Sequence, residues 1–322
     1  MIPTMAFDFD AAVTTPFRMQ PGLRRLAPGA SQLTPVAPGS RHQREKLAVL
    51  SAFAGQALLA REGFDAMPAL HTLATEAARQ HPQHLQWDGR RAVAPMLGVQ
   101  VVDDQAIDLA AGEFGHGDEI GRCLRALPAG WRLAGLLSLT FAEDFALVDG
   151  RDASIPWLAV TLPSHWAPEA KVGRHFAEVH APVADNRLLI AASDRLTALV
   201  TGDERWERFV WTLTGHPRLH AHPQRVDPVR WPATRRPQEL AALTWFRTER
   251  QSFIPIPQAR QAIFCIHVEV QRMDEALAEP AHARRLHDAL ASMSSEVLAY
   301  RHLTAVRDPL LAWLDARAGT PA

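Results

Sequence analysis

From Trp131 onward the chain breaks into short apolar runs separated by turn residues, and this punctuation limits the folds open to it. Leu133 to Phe141, Phe145 to Val148 and Trp157 to Leu162 each have the length and composition of a strand. An interval of helical character follows. Glu207 to Thr214, Leu243 to Ile254 and Ala262 to Val270 then read as three further strands. Strands, a helical middle, and a closing run of antiparallel strands predict an α+β arrangement.

The interval between the two strand groups carries the most distinctive residues. Pro163 and Ser164 close the run that ends at Leu162, and Pro168 suits the first position of a helix, where its missing N–H costs nothing. Val172, Phe176 and Val179 follow at helical spacing and share one face, and Pro182 stops the helix. His180 stands four residues after Phe176, so it turns towards the same buried side. A histidine leaving a helix end towards an apolar pocket is a candidate axial ligand; the alternative is a satisfied core histidine.

Before this block, residues 1 to 41 hold many Pro and Gly and read as an extended arm. A helix is predicted from Gln43 to Arg61 with Gly63 just past its end, a second from Pro68, and a third after Asp118; Val99 to Val102 reads as a strand. The tail after Gln271 is helical, with Leu286, Leu290, Met293 and Val297 on one face. The blocks 1–130, 131–270 and 271–322 are expected to form one compact unit.

Composition removes several function classes. The formal net charge is −1, so nucleic acid and anionic membrane are not expected partners. The two cysteines, Cys123 and Cys265, are too few for an iron–sulfur cluster and too far apart for a Cys-x-x-Cys site. No stretch approaches about 18 uninterrupted apolar residues. The beginning of the chain lacks a basic leader, which predicts a cytoplasmic protein. Gly-x-Gly-x-x-Gly and P-loop patterns are absent. His216, His220 and His222 lie close together, but among prolines and without a neighbouring carboxylate pair, which argues against zinc there.

The strongest polar signal is Trp245-Phe246-Arg247-Thr248-Glu249-Arg250-Gln251. On a strand, Arg247, Glu249 and Gln251 share one face, and Phe246, Thr248, Arg250 and Ser252 the other. Cross-strand ion pairs on a solvated face would explain the charges, and so would a polar site.

A set of motifs in order completes the reading: Pro16-Phe17-Arg18-Met19, Glu143-Asp144, Pro163-Ser164-His165-Trp166, Lys171-Val172-Gly173, Val179-His180-Ala181-Pro182-Val183, Arg208-Phe209-Val210-Trp211 and Arg247-Thr248-Glu249-Arg250-Gln251. Together they resemble the haem-dependent oxidative N-demethylase family, the alpha subunit of dimethylamine-type monooxygenases. The resemblance runs from about Pro16 to Glu269. It implies a PAS-like haem-binding fold, with a helical middle crossing one face of a five-stranded sheet. It implies haem b and oxidation of a small alkylamine by O2, with the methyl group leaving as formaldehyde. Electrons would come from NADPH through a flavin/iron–sulfur reductase partner. In that setting His180 binds iron, Glu249 holds an ammonium substrate, and Arg247 or Arg250 donates hydrogen bonds to bound oxygen or a propionate. Lys171 and Arg174 are further propionate partners. Three positions depart from the resemblance: Val210 stands where Asn is usual, His267 where Arg is common, and Gln258-Ala259 where Arg-Ser is common. A PAS-type haem sensor and a haem-less scaffold are the alternatives.

Overall fold

The computed structural model describes residues 7–109, 118–184, 187–227 and 230–319. Its centre is a seven-stranded antiparallel sheet. The order across it is Arg24–Arg25, Trp206–Thr214, Trp245–Ile256, Gln261–Arg272, Asp144–Asp149, Ser154–Ala159 and Leu58–Ala60. Helices and antiparallel strands together make the fold α+β, as the punctuation predicts. Among the described residues no helix is long and apolar enough to cross a membrane.

The Asp144–Asp149 and Ser154–Ala159 strands are buried along their whole length. A strand covered on both faces reads as an unbroken apolar run, which is why these two are visible in the sequence. The turn between them lies against Gly150, where an added Cβ would stand 2.5 Å from Thr201 Oγ1 and 2.8 Å from the Arg260 carbonyl. That close approach ties the turn to the Arg260 turn.

One face of the sheet packs on the helices Arg41–Ala57, Met67–Gln80 and Arg132–Thr140. Here the predicted strand at Leu133–Phe141 is corrected. The segment is a helix in which every residue from Leu133 to Thr140 is buried. A helix apolar all round has no 3.6-residue stripe, so its sequence cannot be told from a buried strand. Gly63 is not a helix terminator either: the helix ends at Ala57, and Leu58–Ala60 adds a strand beside Trp157–Ala159. A second, four-stranded sheet (Gln86–Trp87, Arg91–Ala94, Val99–Val102, Gln105–Asp108) surrounds the one strand predicted in that region.

The opposite face is crossed by the segment from Pro163 to Val200. Its predicted single helix is also corrected. Pro168–Ala170 is one 3-10 turn, Gly173 takes φ +73°, and a new helix runs over Phe176–His180. His175 caps this second helix, its Nδ1 accepting the Ala177 N–H at 3.1 Å. The C-terminal helices Pro280–Ala291, Ser295–Tyr300 and Arg307–Ala318 pack in a separate apolar cluster with Phe246 and Trp211. They bring Tyr300, Arg301 and His302 to the same side of the sheet as the crossing segment.

Candidate functional site

Between the sheet and the crossing segment lies a cavity of about 520 Å³. The alternation of the strands decides what enters it. Arg247, Glu249, Gln251 and Phe253 point in from one strand. Opposite them in register are Thr212, Val210 and Arg208 on one side, and Ile266 and Phe264 on the other. The remaining wall is largely apolar, with Leu158, Phe176 and Val179 among its members. A concave, mostly apolar space with a few convergent polar groups has the character of a cofactor or substrate site.

Arg247 is the most constrained of these groups, with 1 % of its surface exposed. Its Nε donates to Ser164 Oγ at 2.8 Å, Nη1 to the Arg218 carbonyl at 3.0 Å and Nη2 to the Leu219 carbonyl at 2.8 Å. Nη2 also lies 3.3 Å and 3.2 Å from the Leu162 and Pro163 carbonyls. Burial pushes its pKa down to about 10. The side chain therefore clamps the Leu162–Ser164 turn to the Arg218–Leu219 loop. The Ala221 and Pro163 backbones complete that junction, with Ala221 N donating to Pro163 O at 3.0 Å.

Glu249 is joined to this clamp through a hydroxyl. Ser164 Oγ donates to Glu249 Oε1, while Gln251 Nε2 donates to Oε2 at 2.6 Å. The turn carrying Ser164 is itself anchored by Asp144, which accepts from Thr161 Oγ1 at 2.7 Å and from Leu162 N at 2.6 Å. Lys46, fully buried, balances Asp144 at 3.1 Å. The Glu143-Asp144 pair noted in the sequence thus holds the site's framework rather than lining it.

His180 enters from the other wall. Its Nδ1 is 2.8 Å from the Phe176 carbonyl, and its ring lies tilted against Phe176 with centroids 4.1 Å apart. A neutral imidazole that donates from Nδ1 carries its lone pair on Nε2. Burial lowers the pKa of His180, so the proton that would compete for that lone pair is disfavoured. Lys171 also lines the cavity, with its ammonium donating to the Val179 carbonyl at 2.8 Å; burial lowers its pKa.

Two residues singled out in the sequence are elsewhere. Arg174 is exposed and lies 3.7 Å from Glu178. Arg250 points to the far face of the sheet, where it donates to Glu207 at 2.9 Å and to the Ser31 carbonyl at 3.0 Å. His267 also faces away, which separates that departure from the cavity, whereas Val210 lies directly across from Glu249. Neither cysteine lines the cavity, and both thiols are buried with raised pKa values caused by desolvation.

The structure adds residues to which the sequence assigned no role. Arg208 faces the cavity, and its buried Nε has no hydrogen-bond partner among the described residues. Burial lowers its pKa, and the nearby Glu249 charge opposes that shift. The signal was present: Arg208, Val210 and Thr212 alternate along one strand. Arg301 reaches in from the C-terminal helices, donating to the Trp211 carbonyl at 2.6 Å. His165, in the left-handed region at φ 62°, places its Nε2 3.0 Å from Nε2 of His216.

This imidazole pair predicts acid sensitivity. Burial, aided by the Arg247 charge, pushes His165 down to about 3; burial likewise pushes His216 down to about 4. The folded state then binds fewer protons than the unfolded one below the ordinary histidine value of 6.5. Stability is fully present above pH 6.5 and is lost as pH falls towards the folded-state values. At about 1.4 kcal/mol per unit of separation, His165 alone should cost roughly 2–3 kcal/mol between pH 7 and pH 4.5. Urea unfolding at the two pH values checks this, with His165→Asn, which tolerates positive φ, giving the flatter profile. A wild-type profile no steeper than the variant's would show that the imidazole is not held neutral.

A protein-family model described as "Haem-dependent oxidative N-demethylase, alpha subunit-like" matches residues 126–311, which include every cavity-lining residue except those of the N-terminal arm.

Proposed function

The chain belongs to the haem-dependent oxidative N-demethylase, alpha subunit-like family, and from that we propose that it is the haem-bearing catalytic subunit of an amine monooxygenase. The observation that carries this reading is the position of His180. It lies in the wall of a cavity of cofactor size, and its Nδ1 is 2.8 Å from the Phe176 backbone carbonyl. An outer hydrogen bond of this kind is the usual orienting device for a metal-ligating histidine.

The remaining donors suit haem b. Arg208, whose buried Nε has no partner among the described residues, and Lys171 are cations placed to receive propionates. Cys123 and Cys265 are not among the cavity-lining residues and offer neither a thiolate ligand nor a covalent attachment there. When bound, haem supplies the O2 activation needed to oxidise an N-methyl group. Five of the seven strands come from the central block, and the helical segment crossing them supports a PAS-like description of residues 131–270.

What the chain's own residues do follows from their geometry. Glu249 holds a protonated secondary or substituted amine, since its carboxylate faces the cavity and makes no direct ion pair with Arg208 or Arg247, whose charges lie nearby. Ser164 and Gln251 fix both carboxylate oxygens, so the ammonium meets an oriented group. Arg247 supplies that orientation through Ser164 rather than pairing with Glu249 directly. The apolar wall excludes water from the methyl group. Val210, opposite Glu249, replaces a polar neighbour and favours a larger or less polar amine than dimethylamine. Two cysteines cannot hold a cluster, so electrons come from NADPH through a partner flavin/iron–sulfur protein.

A titration of the haem-loaded protein with a panel of amines, followed by absorbance, tests this. Glu249→Gln should weaken amine binding by about tenfold or more, the equivalent of the 1.5–3 kcal/mol typical of hydrogen bonds to charged groups. Val210→Asn should shift preference towards smaller, more polar amines. Haem content should stay constant across the series. Identical titrations in all three proteins would remove Glu249 as the anchor and Val210 as a neighbour of the substrate.

A further inference from the structure

On the face of the sheet turned away from the cavity, three ligating side chains converge that the amine reaction does not use. His267 and Glu269 alternate along the Gln261–Arg272 strand, and His42 stands in the first turn of the Arg41–Ala57 helix. One ligating atom of each lies within 4.8 Å of the other two. Glu269 Oε1 is 3.0 Å from Nε2 of His267 and 3.7 Å from Nε2 of His42. Ligands on a tetrahedral zinc, with bonds of about 2.0–2.1 Å, stand roughly 3.3 Å apart. The two measured separations bracket that edge length.

The surroundings complete the design. His267 is 5 % exposed, and its Nδ1 faces Glu143 Oε1 and Thr34 Oγ1, each at 3.2 Å. A carboxylate behind a ligating imidazole fixes its tautomer and strengthens its basicity. Glu143 is in turn held by the Thr34 N–H at 2.9 Å. Two carboxylates and a divalent cation sum to a neutral cluster, which a buried position requires. Glu269 is 43 % exposed, so solvent reaches the cluster on one side and can fill a fourth position. Two imidazoles and a carboxylate are a donor set suited to zinc.

The geometry points to a zinc(II) site at His42, His267 and Glu269, backed by Glu143 and separate from the haem cavity. It would act as a staple. The Asp144–Asp149 strand pairs with its neighbour only as far as Ile266, so among the described residues the segment beyond has no strand on that side. His42 covers that edge by meeting the Val268 carbonyl at 2.8 Å. Metal binding moves the His42 proton to Nδ1 and replaces this single hydrogen bond with a bond through the metal. The competing occupant of the cluster is a proton on His267, bridging the same two carboxylates.

The test uses the full chain, stripped with a chelator and dialysed, then titrated calorimetrically with zinc(II) at pH 7.5. One equivalent should bind with a micromolar or lower Kd, and cobalt(II) should give the visible spectrum of a four-coordinate nitrogen/oxygen site. Glu269→Gln and His42→Ala, both at partly exposed positions, should abolish the tight equivalent while the proteins remain folded. Glu143→Gln should weaken binding by about 10–100-fold, the effect expected of an outer-sphere partner. No tight equivalent in the wild type would overturn the site and leave the proton as its occupant. Zinc binding unchanged in both Glu269→Gln and His42→Ala would overturn it equally, by placing the metal on other histidines.

Discussion

His180→Ala should leave a folded protein that no longer holds haem with the wild-type Soret band. Within its own helix turn the ring meets the Phe176 carbonyl through Nδ1 and lies tilted against the Phe176 ring. Its removal opens space beside Phe176 and takes a partner from the Phe176 carbonyl at a half-buried helix end. Stability should fall little, whereas cofactor affinity should fall by at least roughly 100-fold, since loss of a mere outer-sphere partner already costs 10–100-fold. His175→Ala is the matched control. That residue caps the same helix through Nδ1, so its loss costs about 1 kcal/mol of local stability and leaves the band in place. Reconstitution of both variants with haem, followed by absorbance, separates the outcomes. A His180→Ala protein with an unchanged band would end the assignment of His180 as the iron ligand, and with it the proposed function.

Arg247→Met should be the most destabilising single change in the cavity wall. The guanidinium satisfies carbonyls of Arg218 and Leu219, approaches those of Leu162 and Pro163, and holds Ser164. A methionine fills the volume and returns none of these donors. Each buried carbonyl left without a partner costs on the order of 1–3 kcal/mol. Water entering from the cavity should restore part of this, leaving a net loss of about 3–5 kcal/mol, the range for removing one member of a buried charged network. Arg247→Lys should recover only a fraction, because a single ammonium cannot span two loops and a hydroxyl at once. Chemical unfolding measures the loss. An Arg247→Met protein within about 1 kcal/mol of wild type would mean the two loops are held together by something else. Amine binding should also weaken in the folded fraction, because Ser164 loses the donor that orients it towards Glu249.

How much of this was legible in the sequence depended on the kind of burial. Strands announced themselves, as alternating or as short unbroken apolar runs, and the alternation around Arg247 correctly separated Glu249 and Gln251 from Arg250. A helix buried on every side did not. Leu133–Phe141 is apolar at nearly every position, and only the surrounding packing makes it a helix. The Pro168–His180 segment carried helical spacing on both sides of Gly173, so the spacing gave no hint of the break between them. Arg301 and Tyr300 were invisible as site residues because they arrive from a tail whose docking no local pattern encodes. The pairing of His165 with His216, 51 residues apart, has the same cause.

The cavity has two walls of different origin. The wall carrying His180 is a broken segment held by turns and short helices, while the wall carrying Glu249 and Val210 is the middle of a continuous sheet. They meet at the Ser164 turn, which the Arg247 clamp and the Asp144 anchor fix from behind. Under the proposed function, amine recognition can therefore be rewritten by exchanging single inward-facing strand residues, with the wall carrying His180 untouched. For a lineage exploring new amines, or for a designer doing so, positions 210 and 212 are dials on a frame that need not be rebuilt.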